Sequence, residues 1–302
     1  MLTLVITITG CGPKSSQSKE ESLHSNHNEA FPMILEDQRG REVTIKEEPK
    51  RVVSLAPSNT EILFYLGLDE KVVGVTDYCD YPLEAQNKEK IGSFAEHNTE
   101  KILSLNPDLV LATNLHQNVV EQLEKLEVPV VVIDPENLEE VLKSIEIIGK
   151  ACGKEKEAID VVDSLEARMK KVEESIDIPV DQKPIVYYEV WPSPITTAGP
   201  GTFVNDIISK AGGVNVSGDA QKAYPQYSQE MIVAKNPEII IFSHHGSSNQ
   251  SPEDILKRPG WENVEAIKNK RVYYVDENIV QRATPRLIDG LEKFVELIHH
   301  TK

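Results

Sequence analysis

Basic residues are scarce in this sequence, and their scarcity excludes one large class of partner. The 302 residues include 32 Lys and Arg against 49 Asp and Glu, which gives a formal net charge of −17. Phosphate backbones are bound by clustered Lys and Arg that displace counterions, so a chain this acidic carries the wrong sign of surface potential. We therefore expect no nucleic acid among its partners.

The sequence also lacks the short motifs on which many hydrolases and nucleotide-dependent enzymes rely. None of G-x-S-x-G, H-E-x-x-H and G-x-x-x-x-G-K-[ST] occurs. A glycine-rich stretch at 198–202 precedes a helical pattern but contains no lysine, so it is a weak candidate for phosphate binding. The absence of these motifs predicts that the chain is not an enzyme, and we expect no catalytic residue, metal or resident cofactor.

Cysteine is rare as well, with three in the whole chain. Cys79 and Cys152 could form one disulfide outside the cytoplasm, but nothing in their spacing requires it. Cys11 ends an apolar run that, at 11 residues, is shorter than the ~20 residues of a membrane-spanning helix.

The residues before Cys11 suggest a different role for this run. Ile-Thr-Gly-Cys at 8–11 resembles the lipobox that ends a bacterial lipoprotein signal peptide, although no Lys or Arg precedes the apolar run. The resemblance implies an extracytoplasmic lipoprotein that is anchored to the membrane through acylated Cys11. Residues 12–30 are polar and Ser-rich, as expected of a flexible tether.

From residue 51 onward, short apolar runs alternate with helical patterns, which is typical of an α/β fold. Continuous apolar runs favour buried parallel strands. The predicted strands are 51–55, 72–75, 109–112, 130–133, 185–190, 238–242 and 272–275, and helices are predicted at 59–66, 119–126 and 286–299. Residues 138–178 carry one long helical pattern. We predict two similar α/β lobes, 31–137 and 179–302, joined by that helix.

An internal repeat relates the two lobes. Residues 100–111 align without gaps on residues 230–241, an offset of 130. Phe94 and Tyr224 stand six positions before the two copies, again 130 apart. Each copy contains Asn-Pro, where a helix ends because the proline disfavours helical geometry before it. A turn used twice by convergence would explain the Asn-Pro alone, whereas duplicated lobes explain the whole match.

Four motifs carry a resemblance to a known family. They are Leu-Ala-Pro-Ser-Asn-Thr-Glu at 55–61, Asp-Tyr-Cys-Asp-Tyr-Pro at 77–82, Tyr-Pro-Gln-Tyr-Ser-Gln-Glu at 224–230 and Gln-Arg-Ala-Thr-Pro-Arg at 281–286. From about residue 50 the chain resembles the ABC-importer binding proteins for cobalamin, haem and ferric siderophores, and most of all the cobalamin branch. The resemblance implies a ligand cleft between lobes that move little, a corrinoid cargo, and a permease dimer with its ATPase subunits as partner.

Candidate ligand-binding residues follow from the chemistry of such a cargo. A large, partly apolar macrocycle needs flat aromatic surfaces and a few polar anchors. Arg282 supplies a forked donor for amides or carboxylates, or else forms a surface ion pair. The cobalamin branch commonly has tryptophan where this chain has Phe94. The aromatic candidates, for which core packing is the alternative, are Tyr78, Tyr81, Phe94, Trp191 and Tyr224.

Glu100 and Glu230 begin the two repeated helices. By resemblance they project from the tops of the lobes and meet arginines on the permease dimer, because a pseudo-twofold protein docking on a twofold partner needs one such charge per lobe. The alternative is that each carboxylate interacts only with its own helix dipole.

Other cargoes of the same family make different demands. Haem would need an axial ligand, for which His97 and His244 are candidates. A ferric siderophore would require several arginines in the cleft, where Arg282 alone is placed. Bare zinc or manganese would need a His, Asp and Glu set spread over both lobes, and the sequence offers no such set.

Overall fold

The computed structural model describes residues 30–94, 97–244 and 251–300. The elements of the first half are β1 (Met33–Glu36), β2 (Glu42–Ile45), β3 (Val52–Ser54), α1 (Pro57–Tyr65), β4 (Val72–Val75), α2 (Thr99–Ser104), β5 (Leu109–Ala112), α3 (Gln117–Glu124), β6 (Val130–Val132), α4 (Leu138–Ala151) and α5 (Glu155–Ser175). Those of the second half are β7 (Ile185–Pro192), β8 (Ile195–Thr197), α6 (Phe203–Lys210), β9 (Val214–Asn215), α7 (Gln229–Lys235), β10 (Ile239–Phe242), α8 (Pro252–Leu256), α9 (Glu265–Lys268), β11 (Val272–Tyr274) and α10 (Leu287–Val295).

Each lobe is built on its own sheet. The N-terminal sheet has the order β4-β3-β5-β6, and all its pairs are parallel. The C-terminal sheet has the order β11-β10-β7-β8, with β9 also on β7, and β8 is antiparallel to β7. The central strands β5 and β10 are buried at every position, as expected of parallel strands covered on both faces. The predicted α/β class with two lobes is confirmed.

The β1–β2 hairpin, which the sequence analysis did not predict, covers the edge of the N-terminal sheet. Asp37 accepts a hydrogen bond from the backbone N–H of Val132 at 3.0 Å, and the Gln38 side chain accepts one from Asp134 at 2.8 Å. Gln38 in turn donates its backbone N–H to Val132 at 3.2 Å. The edge strand β6 is thus shielded from pairing with another chain.

The internal repeat also holds in the helix ends. Asn98 caps α2 and Ser228 caps α7, each accepting a hydrogen bond from the N–H three residues later. After each helix an asparagine adopts the left-handed conformation, with φ of 47° at Asn106 and 45° at Asn236. Both caps, both turns and the strands β5 and β10 keep the 130-residue offset.

The acidic residue after each Asn-Pro pair makes the same kind of hydrogen bond in both lobes. Asp108 accepts the backbone N–H groups of Lys50 and Arg51 at the entrance to β3. Glu238 accepts the backbone N–H of Ile185 at the start of β7. Each carboxylate thus ties the start of one parallel strand to the start of its neighbour.

The single helix predicted over residues 138–178 is wrong in its bounds, because two helices occupy this segment. Gly153, with φ of +75°, ends α4 in a left-handed turn in which Lys154 donates its N–H to the carbonyl of Gly149. The Cys152 carbonyl then accepts a hydrogen bond from Nζ of Lys71 in the N-terminal lobe. From there α5 runs to the other lobe, where Arg168 pairs with Asp289 and Glu292.

Both helices of this segment contact the two lobes. The longer one, α5, has 21 residues, which correspond to about 31 Å at ~1.5 Å per residue. The helix α4 runs back beside it, since the start of α4 contacts the C-terminal lobe. There the N–H of Leu138 is accepted by Asp206 on α6, and Glu139 pairs with Lys210.

Of the hydrophobic clusters in the described residues, the largest continues through both lobes along these helices. It includes Leu63 and Val75 of the N-terminal lobe and Tyr188 and Leu287 of the C-terminal lobe. Within the part of the chain that the structure describes, no helix is both long and apolar enough to cross a bilayer. Cys79 and Cys152 are buried free thiols, so they form no disulfide with each other.

Candidate functional site

The carboxyl ends of the two sheets are connected by a cluster of four charged side chains, which we call the interlobe cluster: Glu61, Asp80, Arg282 and Arg286. Glu61 on α1 is almost fully buried and accepts Nε and Nη2 of Arg286 at 2.8 and 2.7 Å. Arg282 donates Nη1 to Glu61 at 3.2 Å and to Asp80 at 2.6 Å. Residues more than 200 positions apart thus meet across the two lobes.

Local structure holds both halves of the interlobe cluster in place. On the N-terminal side, Thr60 bonds to Ser54 at 2.8 Å and to the thiol of Cys79 at 3.2 Å, which joins α1 to the loop after β4. On the C-terminal side, Gln281 donates to the buried hydroxyl of Tyr188 at 3.0 Å. The residue before Arg282 is thereby tied to the middle of β7.

Charge and burial act in opposite directions on the exposed acid of the interlobe cluster. Burial works to raise the pKa of Asp80, but the hydrogen bond and positive charge of Arg282 outweigh it, so this pKa lies below its usual value. Asp80 is therefore ionised at neutral pH.

Two aromatic candidates of the N-terminal lobe share a loop with Asp80, and one of them, Tyr81, contacts the interlobe cluster. Tyr78 and Tyr81 lie in the loop after β4 and are 58% and 48% exposed. The Arg286 guanidinium stacks 3.9 Å from the ring centre of Tyr81, a cation–π contact. An exposed aromatic ring of this size beside a fixed cation offers a flat apolar surface to a ligand.

The C-terminal lobe presents two more aromatic rings. Trp191 lies at the end of β7, is 39% exposed, and donates its indole N–H to the Ser193 carbonyl at 3.1 Å. Tyr224 is 54% exposed, and the chain that follows it is hydrogen-bonded along β8 through Pro225 and Tyr227. Trp191 pairs with Thr196, which bridges to Gln226, so one short ladder positions both rings.

Phe94, the remaining aromatic candidate, packs within its own lobe. Its ring lies edge-on to His116, with centres 5.1 Å apart. Nδ1 of His116 accepts the backbone N–H of Thr113 at 3.0 Å, which leaves Nε2 to donate to the Phe94 carbonyl at 3.1 Å. Burial lowers the pKa of His116 to about 4, with a smaller contribution from nearby His97. The imidazole is therefore neutral and structural.

The two histidines considered for haem lie in confined surroundings. Burial lowers the pKa of His97, and its Nε2 is buried. His244 is buried and bonds through Nε2 to Glu189 at 3.1 Å. Glu189 also receives both Nη atoms of Arg258, at 2.6 and 2.8 Å. His244 thus belongs to a buried polar cluster and not to an open surface.

Glu100 and Glu230 are both exposed at the second position of their helices, α2 and α7. Hydrogen bonds from the backbone of Glu230 itself and, to a smaller extent, from the Ser228 side chain lower the pKa of Glu230. The two carboxylates therefore occupy equivalent helix positions and are accessible to a partner, as docking requires. Their positions also fit the alternative, in which each carboxylate interacts only with the dipole of its own helix.

Three members of the interlobe cluster are not identifiable from the sequence. Glu61, Asp80 and Arg286 lie inside the motifs at 55–61, 77–82 and 281–286, but their pairing could not be read from any local pattern. In the described ranges, no group of three or more His, Cys, Asp or Glu is arranged to hold a metal ion.

A family model with the description periplasmic binding protein matches residues 52–279, which is more than half of the chain. The chain belongs to the periplasmic binding protein family. Its members are solute-binding proteins, and the predicted family resemblance is confirmed. Cys11, the predicted lipidation site of this periplasmic binding protein, lies outside the described residues.

Three named relatives are similar to most of the chain. Over 306 aligned positions the chain is 38% identical to YvrC of Bacillus subtilis, an uncharacterized ABC transporter substrate-binding lipoprotein, covering 99% of this chain and 95% of YvrC. It is 29% identical to the vitamin B12-binding protein of Vibrio cholerae, covering 81% of this chain and 87% of that protein. The heme-binding protein RhuT from Roseiflexus superposes with a TM-score of 0.71 at 27% identity, covering 83% of this chain and 99% of RhuT.

Proposed function

We propose that this protein captures a corrinoid such as cobalamin outside the cytoplasm and delivers it to the permease of an ABC importer. The observation that carries the proposal is the set of exposed aromatic rings after the strands of both lobes: Tyr78, Tyr81, Trp191 and Tyr224. Ligands of open α/β sheets bind outside the carboxyl ends of the strands. The similarity to a vitamin B12-binding protein over most of the chain supports the same cargo.

Haem is the second candidate, because the chain also resembles the heme-binding protein RhuT. Axial ligation by His244 would require this buried side chain to leave the buried carboxylate of Glu189. The buried Nε2 of His97 would likewise have to be uncovered. A ferric siderophore is a weaker candidate, since Arg282 and Arg286 already pair with carboxylates.

Titration of the purified full-length protein with cyanocobalamin, hemin and a ferric siderophore separates these candidates. Trp191 is 39% exposed while Trp261 is fully buried, so contact quenching by a cleft ligand should arise from Trp191, whereas energy transfer to the coloured ligand reaches both. We expect saturable quenching by cyanocobalamin, a smaller quenching amplitude in Trp191→Phe, and binding of the variant still detectable by calorimetry. A saturable hemin complex that is lost in His97→Ala or His244→Ala, with no corrinoid heat, would transfer the assignment to haem.

The permease dimer and its ATPase subunits are the proposed partners, and Glu100 and Glu230 are the proposed docking residues. We expect the double variant Glu100→Arg and Glu230→Arg to bind ligand normally and to lose uptake by the assembled importer, with partial rescue by reversing permease arginines. Gln in place of both Glu provides the milder control, because it removes the charge without reversing it. Normal uptake by the Arg double variant would refute docking through these residues.

The proposed location is the outer face of the cytoplasmic membrane, with acylated Cys11 as the anchor and residues 12–30 as the tether. The naming of YvrC as a lipoprotein supports this location. We propose residues 31–137 and 179–302 as the two lobes and α4 and α5 as the helices that join them.

A further inference from the structure

The four side chains of the interlobe cluster balance in charge. Arg282 and Arg286 contribute two positive charges, and Glu61 and Asp80 contribute two negative charges. All four lie where loops from the carboxyl ends of the two sheets meet. Any ligand group that reaches Arg282 therefore encounters a site whose formal charge is already zero.

The interlobe cluster consists of a fixed half and an exchangeable half. The Glu61 side chain is 3% exposed and is held by both ionic bonds to Arg286, whose guanidinium is covered by Tyr81. The Asp80 side chain is 56% exposed and makes one short contact to Arg282, at 2.6 Å, and one long contact, at 3.3 Å. Exposed ion pairs are weak compared with buried ones, so the Asp80 contact is the one that a ligand can share or displace.

We propose that Asp80 is a specificity-determining residue that makes the cleft favour uncharged hydrogen-bond acceptors over carboxylates. This inference rests on the proposed function, because it assumes a ligand that reaches Arg282. A carboxamide oxygen can share the guanidinium donors of Arg282 and leave the local charge at zero. A carboxylate would add a third negative charge beside Asp80 and Glu61, where like charges repel.

Several features of the site support this role. The lowered pKa of Asp80 keeps its charge in place at neutral pH. The nearby cation of the N-terminal lobe, Lys90, directs its ammonium to the backbone carbonyls of Thr76, Cys79 and Ala85, each at 3.4 Å, and not to Asp80. A corrinoid carries several peripheral amides, whereas haem carries two propionates, and the site discriminates between these two chemistries.

The test compares two ligands that differ at one group, cyanocobalamin and its monocarboxylic acid derivative in which one amide is hydrolysed. Dissociation constants are measured by calorimetry for the wild-type protein and for Asp80→Asn. We expect the wild type to prefer the amide, and the preference to fall roughly tenfold in Asp80→Asn, as expected for removing one like charge near a protein surface. Asp80→Glu, which keeps the charge, should retain the wild-type preference.

Asp77→Asn is the matched control, because Asp77 lies in the same loop and makes no ion pair among the residues that the structure describes. An unchanged preference in Asp80→Asn, or an equal change in Asp77→Asn, overturns the inference.

If wild-type protein binds neither corrinoid, the proposed cargo is wrong, and hemin then tests Asp80 separately. Tighter hemin binding by Asp80→Asn, again about tenfold, supports the inference, and unchanged binding overturns it. Absence of binding by all three ligands overturns the cargo and the role of Asp80 together.

Discussion

Glu61 should contribute more to the stability of this protein than any exposed acid of the cleft. Its carboxylate is buried and receives three hydrogen bonds from two arginines of the other lobe. Removing one partner of a buried ion pair costs roughly 3–5 kcal/mol. Arg282 retains Asp80, and the Arg286 side chain is 17% exposed, so water offsets part of that loss. We therefore expect Glu61→Gln to lower the free energy of unfolding by about 3 kcal/mol.

Urea denaturation followed by circular dichroism measures this loss, and thermal unfolding should show a midpoint lower by roughly 5 °C for a chain of this size. Asp80→Asn is the control, since the exposed Asp80 pair should contribute only about 0–1 kcal/mol. The double variant Glu61→Gln with Arg286→Gln should recover part of the loss, because it removes the unpaired charge. If Glu61→Gln lowers the free energy of unfolding by less than about 1 kcal/mol, or by no more than Asp80→Asn does, the buried Glu61–Arg286 ion pair does not stabilise the protein as argued.

The remaining predictions concern a buried histidine and a close helix contact. The pKa of His116 is about 4 in the folded protein against 6.5 for an ordinary histidine, so the unfolded chain takes up the proton first. The contribution of neutral His116 to the free energy of unfolding is fully present above pH 6.5 and falls as the pH approaches 4, by up to about 3 kcal/mol. Urea unfolding at pH 7.5 and 4.5 should show a smaller pH dependence of this free energy in His116→Gln than in the wild type. An equal pH dependence in both proteins would contradict this reasoning. A Cβ at Gly149 would lie 2.3 Å from the Cβ of Ala158, so Gly149→Ala should destabilise the α4–α5 contact by about 1–3 kcal/mol in the same assay, and unchanged stability would show that the helices can separate freely.

Most of the fold could be predicted from the sequence because its signals are local. Strands β5 and β10 are continuous apolar runs, and the Asn-Pro pairs end the helices before them. The break at Gly153 was missed because the apolar helical pattern continues on both sides, while one left-handed glycine reverses the chain. The β1–β2 hairpin was missed because its strands are only four residues long.

The candidate site could be predicted only in part, for a different physical reason. Tyr78, Tyr81, Trp191 and Tyr224 were identified from their residue type in loops after strands, and the structure leaves all four exposed. The partners of Arg282 could not be identified, because Asp80 is 202 residues away in sequence and the pairing exists only after both lobes have folded. Phe94 fits the repeat equally well, yet its ring packs on His116.

The shared core and the interlobe cluster together suggest how this protein could hold a ligand without a large closing motion. Side chains of both lobes pack in one hydrophobic cluster along α4 and α5. Separating the lobes would also break the ion pair between Glu61 and Arg286 and expose both side chains to water. Packed interiors resist continuous deformation, so moving the lobes apart costs free energy. A ligand that binds between lobes already in position does not have to offset that cost. Affinity and selectivity would then come from side chains already in position, from the exposed rings on either lobe and from the charge that Asp80 places beside Arg282.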